Sequence, residues 1–200
     1  ANYWGYGELS TVTEGPINDT ANSGHCVVHI NGGIIGDEVW NDNGHVFGSS
    51  RGITFENITN QPRFNYSRDF FLGYTNHAHV TIGTNGGNND DTRVYGSVFG
   101  GGQNGHVRFD ADVTMESGHV GVAYSGNGDN ITADQWKYRG NVYGAGRGID
   151  FVPGSTTDYC KSAGSVTLNT NVTIKGGIVH RDVYGGGSLA TVGPPSIGMF

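Results

Sequence analysis

Short runs in which apolar and polar residues alternate recur along the chain, and each is followed by a glycine-rich phrase. Alternation with a period of two is typical of a β-strand that buries one face. The clearest runs are Cys26–Ile30, His79–Ile82 and Ser165–Leu168. The valines Val28, Val80 and Val166 lie 19, 19 and 18 residues before the aromatic residue of the following phrase. This constant spacing predicts a repeated strand–turn unit.

The phrase consists of valine, an aromatic residue, glycine and two small residues, and it occurs four times. Its aromatic residues are Phe47, Phe99, Tyr143 and Tyr184, and the glycines that follow them are Gly48, Gly100, Gly144 and Gly185. The aromatic residues are 52, 44 and 41 positions apart. Weaker half-copies at 71–73 and 123–126 divide most of these intervals into spacings of about 19–27 residues.

These repeats predict an all-β protein, a parallel β-helix or β-solenoid with irregular coils of about 19–27 residues. Successive coils would stack at the inter-strand spacing of about 4.8 Å, so the four aromatic residues should form a column. The four glycines are expected at tight corners with positive φ, which glycine adopts cheaply. Replacing Gly100 or Gly185 with valine should therefore destabilise the fold. Asn-Gly pairs also mark hairpin turns, so a β-sandwich is the alternative.

The extent of the repeats divides the chain into three predicted parts. Residues 1–24 are expected to form an N-terminal cap or leading segment, residues 25–193 the repeat domain, and residues 194–200 a C-terminal tail or linker. The excess length within coils should leave the stack as loops. The candidate loops are 56–69, 86–92, 127–138 and 153–162.

The amino-acid composition agrees with an all-β fold and excludes some classes of binding partner. Glycine accounts for 36 of the 200 residues, and each glycine costs a helix about 1 kcal/mol relative to alanine. The net charge is -7 and the 11 Lys and Arg residues are scattered, whereas a nucleic-acid binder carries a basic patch. No apolar stretch reaches the length of a membrane span. We therefore expect no nucleic-acid partner and no membrane span.

Metal and disulfide chemistry have few candidates. His77 and His79 share one strand face, a spacing that can chelate. The segments 88–91 and 110–112 offer oxygens that calcium could use, although turns of this kind are more often only solvated. We expect no cofactor, with calcium as the exception to test. In a solenoid, Cys26 and Cys160 would be about five coils apart, too far for an intrachain disulfide. A sandwich could form that bond, and stacked subunits could form it between chains.

Catalysis has no assembled motif in the sequence. Arg181-Asp182 and Arg68-Asp69 are adjacent Arg-Asp pairs, but neighbouring strand residues point to opposite faces. We therefore predict that the protein is not an enzyme. Trp136 and Tyr138, at the end of a predicted loop, are the best candidates for an exposed contact with a sugar, although packing within the coils is the simpler explanation for any aromatic residue here.

The phrases at 177–193 and 98–102 resemble glycine-rich repeats of very large, adhesin-like surface proteins of gut Bacteroides-type bacteria. The resemblance covers about residues 25–193 and implies an exported, β-helical, structural or adhesive protein with no catalytic motif. We expect a rigid extracellular or cell-surface segment of an adhesin or self-assembling fibre. Its expected partners are further copies end to end and a glycan or host surface. The alternatives are a carbohydrate-binding module and a polysaccharide-degrading β-helix enzyme.

Overall fold

A computed structural model describes residues 24–37, 43–52, 73–86, 92–123, 139–148 and 163–193. These residues form twelve short strands, and no helix occurs among them. The strands are β1 (His25–Ile30), β2 (Gly33–Ile35), β3 (Val46–Phe47), β4 (His77–Ile82), β5 (Thr92–Val94), β6 (Val98–Phe99), β7 (Ala111–Met115), β8 (His119–Val120), β9 (Val142–Tyr143), β10 (Thr170–Ile174), β11 (Ile178–Val179) and β12 (Val183–Tyr184).

The strands form three four-stranded sheets. Sheet A has the order β1-β4-β7-β10, sheet B has β2-β5-β8-β11, and sheet C has β3-β6-β9-β12. The chain passes through sheets A, B and C in turn four times, and we call each passage a circuit. Every pairing between these strands is parallel. The described part of the chain therefore differs from the antiparallel sandwich alternative.

Each circuit is longer than the sequence spacing predicts. In sheet A, Val28, Val80, Val113 and Val172 are aligned, so successive circuits are separated by 52, 33 and 59 residues. The predicted coils of 19–27 residues are wrong. Of the half-copies used to shorten the spacing, only Gly73 and Ala123 are described, and both lie outside the strands. One full phrase therefore corresponds to one circuit.

The sequence also places the third alternating run, Ser165–Leu168, in a sheet A strand, but that strand is β10, which begins later. Val166 forms only isolated bridges, to Val107 and Val192, and Val172 of β10 takes the sheet A position. Strand β7 was missed because its alternation includes Asp112, which suggested a solvated or calcium-binding turn. Its pattern is nonetheless regular, because Ala111, Val113 and Met115 are buried and the residues between them are not.

The core lies between the three sheets and is built from inward-facing positions. In β4, burial alternates along the strand, as expected for a strand with one face on the core. The main cluster contains Val46, Val80, Ile82, Val94, Val98, Val113, Met115, Val120 and Val142. A second cluster of small residues contains Ala78, Val107, Ala111, Ala145 and Val166. Each circuit alone exposes one layer of this core, so stability depends on its neighbours.

Pairs of glycines flank four of the segments that lie outside the described residues. A Cβ added to Gly36 would lie 2.7 Å from Cα of Gly44, and both residues have positive φ. A Cβ on Gly73 would lie 3.0 Å from Cα of Gly52, and these two also have positive φ. The same arrangement joins Gly121 to Gly140 and Gly148 to Gly164. The loops predicted at 56–69, 127–138 and 153–162, and most of 86–92, lie outside the described residues, as do 1–23 and 194–200.

Candidate functional site

The four repeated aromatic residues form one continuous column in sheet C. The ring centroids of Phe47 and Phe99 are 4.8 Å apart, and those of Phe99 and Tyr143 are 4.9 Å apart. Tyr143 and Tyr184 follow at 5.0 Å. The rings are within 10° of parallel, because in-register pairing repeats the same side-chain position at the strand spacing. His45 packs edge-on against Phe99.

The four repeated glycines form a second column, for a different reason from the one predicted. They follow the sheet C strands at bends, but none of them has positive φ. Instead, a Cβ on Gly48 would lie under 3.0 Å from the carbonyl oxygen of Gly100, and Gly100 stands in the same relation to Gly144. Glycine is required here because the backbones of adjacent circuits approach too closely for any side chain.

Gly185 ends this column and differs from the other three. Nothing lies within 4 Å of a Cβ built on it, because no further circuit covers it among the described residues. The expected destabilisation therefore has a clear steric cause at Gly100, whereas no described neighbour supplies that cause at Gly185.

A column of hydrogen-bond acceptors, buried at Ser97 and Asn141, was missed in the sequence. The residue before the valine of each phrase is His45, Ser97, Asn141 or Asp182. His45 Nδ1 accepts the backbone N–H of Ser97 at 2.9 Å, and Ser97 Oγ accepts that of Asn141 at 3.0 Å. Asn141 Oδ1 accepts the N–H of Asp182 at 3.2 Å. The signal was available, because all four residue types can accept a hydrogen bond at one fixed position of the repeat.

The outer face of sheet A carries a polar ladder that continues across all four circuits. The register places His79, Asp112 and Asn171 of the second, third and fourth circuits in one row. Val27 has this position in the first circuit, where His25 supplies the polar contact instead. His79 Nδ1 is 3.0 Å from Asp112 Oδ2, and Asn171 Nδ2 donates to Asp112 Oδ1 at 2.8 Å. His25 Nδ1 lies 2.9 Å from His79 Nε2. These contacts join side chains that are far apart in sequence.

A neighbouring row repeats the arrangement with weaker geometry. Asn169 Nδ2 donates to Asp110 Oδ1 at 2.9 Å, and His77 Nδ1 is 3.8 Å from Asp110 Oδ2. The His77 ring stacks on His25 with centroids 4.5 Å apart. Pairs with this much solvent exposure each contribute about 0.2–1 kcal/mol, so the ladder tunes the outer face more than it holds the fold together.

The side chains of this ladder are not arranged as a set of metal ligands. His77 and His79 are parallel rings 6.3 Å apart, and His79 contacts Asp112 and His25 through its two nitrogens. Asp110 and Asp112, the calcium candidates, each accept a hydrogen bond from an asparagine. Among the described residues, no group of three or more His, Cys, Asp or Glu side chains is arranged to hold a metal ion. The other calcium candidate, 88–91, lies outside those residues.

The other candidate residues from the sequence are the cysteines, the exposed aromatic residues and the two Arg-Asp pairs. Cys26 is a free, half-buried thiol 3.3 Å from Thr75 Oγ1, and Cys160 lies outside the described residues. Trp136, Tyr138 and the Arg68-Asp69 pair also lie outside them. In the other Arg-Asp pair, Arg181 Nη1 donates to the carbonyl of His180, and Asp182 Oδ2 accepts from the Tyr184 hydroxyl. These two side chains therefore take different partners.

Basic side chains converge where sheet B meets the start of the sheet C strands. Arg93 and His119 are paired in register, and His119 Nδ1 lies 3.3 Å from His180 Nε2. Burial, and then the nearby His119, Arg181 and Arg93, lower the pKa of His180 from its ordinary value. Burial and the charge of Arg139 likewise lower the pKa of Arg181. The neutral form of His180 is therefore favoured in the folded chain.

We expect His180 to make the fold less stable in acid. Because its pKa is lower in the folded than in the unfolded chain, its contribution to the free energy of unfolding is complete above the ordinary value of about 6.5. That contribution is lost as pH falls through the lower folded value. Urea midpoints at pH 7.5 and 5.5 should differ less for His180→Gln than for the wild type. An equal drop in the two proteins would contradict this cause.

The fourth circuit leaves an apolar edge. Val183 and Tyr184 are 47% and 44% exposed, whereas Val142 and Tyr143, one circuit below, are 1% and 5% exposed. Each of these side chains has the same register position as its counterpart in the circuit below, so the difference arises because no described circuit covers them.

Comparison with known proteins gives no relative for this chain. No family matches it, and neither a curated protein nor a solved structure is similar to it. No helix able to cross a membrane is found in the part of the chain that the structure describes.

Proposed function

We propose that this chain is a β-solenoid segment that acts as a rigid structural or adhesive element of an extracellular protein or fibre, without enzymatic activity. The observation that supports the proposal best is the in-register repetition of three columns through four circuits. The aromatic rings, the glycines and the hydrogen-bond acceptors each recur at the same position of sheet C.

Rigidity follows from the nature of these columns. Each circuit is joined to the next by backbone hydrogen bonds, such as Gly48 N–H to Phe99 O at 2.9 Å and Gly100 N–H to Tyr143 O at 2.8 Å. The glycine column allows no sliding of one backbone past another without a clash, and the acceptor column fixes the register. Such a stack resists bending because neighbouring circuits share one close-packed core.

The chemistry of the outer face is in keeping with a structural role. The polar side chains His79, Asp112 and Asn171 contact each other along the stack. The resemblance of the repeats to adhesin-like surface proteins favours an extracellular location. The net charge of -7 favours solubility of a chain with many exposed glycines.

Surface exposure on the producing cells tests this role. Antibodies raised against the purified protein should label intact cells, and a cytosolic protein of the same cells should be labelled only after permeabilisation. Labelling of this chain only after permeabilisation would contradict an extracellular role. In parallel, incubation with neutral and acidic polysaccharides should release no new reducing ends or unsaturated sugars. Turnover by the purified protein would overturn the non-enzymatic assignment.

A further inference from the structure

The interface between circuits recurs three times among the described residues, and no described circuit lies beyond its two halves at opposite ends of the stack. The upper half is the edge formed by β10, β11 and β12, where the inward side chains Ile174 and Val183 and the aromatic side chain Tyr184 are exposed. The lower half is the edge formed by β1, β2 and β3, whose inward side chains are buried or half-buried. We call these the upper edge and the lower edge.

The two edges carry matching residues in the shared register. An aromatic residue, a valine and a glycine of the phrase occur at both edges, as does a Val–x–Ile pattern in sheet A. Stacking the lower edge of one copy on the upper edge of another would continue every inward column. The facing residues would be Tyr184 and Phe47, Val183 and Val46, Gly185 and Gly48, Val172 and Val28, and Ile174 and Ile30.

An outward-facing row gives an independent indication of what covers these edges. The row in sheet B consists of Ile34, Arg93, His119 and Ile178. Its two middle residues are polar, as suits an outer face, but its two ends are isoleucines that are 64% and 47% exposed. In a head-to-tail stack, Ile178 of one copy and Ile34 of the next would become neighbours and bury each other's apolar surface.

The column of hydrogen-bond acceptors also favours a second copy of the chain at the upper edge. Each acceptor side chain binds the backbone N–H at the same position of the next circuit. Asp182 ends this column at the upper edge with a carboxylate, which is a strong acceptor. The corresponding position in a stacked copy is His45, the first residue of the column.

We propose that the upper edge binds the lower edge of a second copy of this chain, in parallel register, so that Tyr184 stacks on Phe47 and Gly185 meets Gly48. This inference rests on the solenoid of the proposed function and names its partner. The product is a head-to-tail stack in which the internal circuit interface is repeated between chains. Such heterologous contacts build open filaments when they do not close into a ring.

A single methyl group at the upper edge tests the contact. In Gly185→Ala, the added Cβ meets nothing within 4 Å in the isolated chain, so folding should be unaffected. At Gly48, Gly100 and Gly144, the same Cβ would lie under 3.0 Å from a carbonyl oxygen of the next circuit. Sedimentation velocity over a concentration series should show association of the wild type and a monomer for Gly185→Ala.

Gly186→Ala is the matched control for this variant. Its added Cβ also meets nothing within 4 Å. The equivalent position one circuit below is Ala145, which is fully buried beneath the fourth circuit, so a methyl group fits inside this interface. Gly186→Ala should therefore associate like the wild type. Association of Gly185→Ala equal to that of the control would overturn the proposal.

Adding the blocked variant to the wild type tests the head-to-tail orientation. Gly185→Ala keeps its lower edge intact, so it should bind the upper edge of a wild-type stack and stop further growth there. An excess of Gly185→Ala should therefore shorten wild-type stacks to dimers of one wild-type and one variant chain, whereas the same excess of Gly186→Ala should not. Wild-type dimers that persist unchanged in excess Gly185→Ala would mean that two upper edges pair, which would overturn the parallel register.

The proposed contact and the proposed function fail in different ways. A wild type that stays monomeric at every concentration overturns the contact and leaves the upper edge to another occupant, such as residues 194–200. Labelling of intact cells would then still support the structural role. Polysaccharide turnover would instead overturn that role, whatever the state of association.

Discussion

Phe99→Ala is expected to lower the free energy of unfolding by about 3–5 kcal/mol, the usual cost of removing a buried phenylalanine. Phe99 is fully buried in the middle of the aromatic column. Its ring stacks on Phe47 and Tyr143 and receives the edge of His45. The substitution removes three ring contacts at once and leaves a cavity that the hydrogen-bonded strands on either side cannot close.

Tyr184→Ala is the matched control for this substitution. Tyr184 occupies the same position of the phrase, but among the described residues a ring stacks on one side of it only, and it is 44% exposed. Urea unfolding of both variants, followed by circular dichroism at a concentration where the chain is monomeric, should give a clearly smaller loss for Tyr184→Ala. Equal losses would mean that the column does not carry the stability assigned to it.

Gly100→Ala is expected to lower the free energy of unfolding by about 1–3 kcal/mol, the range for overpacking a close-packed core. The added Cβ would lie under 3.0 Å from the carbonyl oxygen of Gly144 and 3.0 Å from Val113 Cγ2. The carbonyl belongs to the backbone of the next circuit, so relief of the clash requires the circuits to separate locally. The bond from Gly100 N–H to Tyr143 O, now 2.8 Å, would be strained by that movement.

Gly186→Ala provides the comparison without a clash. It has open space for the methyl group and no positive φ, so it should leave stability unchanged or raise it by about 0.4–1 kcal/mol through the unfolded state. Thermal melts of the two variants beside the wild type separate the steric effect from the loss of glycine itself. Similar melting of Gly100→Ala and Gly186→Ala would remove the steric explanation.

The sequence was most informative about sheet C and least informative about the outer faces. The phrase around Phe47, Phe99, Tyr143 and Tyr184 predicts their alignment, because a repeated apolar pattern must bury the same position in each circuit. Circuit length could not be obtained in this way, because 52, 33 and 59 residues separate equivalent valines in sheet A. The constant spacing therefore places Val166 at the position that Val172 occupies.

The polar ladder depends on that same register. His79, Asp112 and Asn171 come together only when circuits of unequal length are aligned correctly, and no local pattern marks them as neighbours. The glycine column shows a second limit of sequence reasoning. Composition correctly points to glycine at the bend after each sheet C strand, but only the spacing between backbones shows that close approach, and not positive φ, is the cause.

The paired glycines have a consequence for how this architecture can change. Gly52 and Gly73 are in contact across twenty intervening residues, and Gly148 and Gly164 are in contact across fifteen. Because the two glycines of a pair meet, the length and sequence of the segment between them can change while both glycines and the strand register stay fixed. A foreign peptide grafted between such a pair should therefore leave the described circuits unchanged.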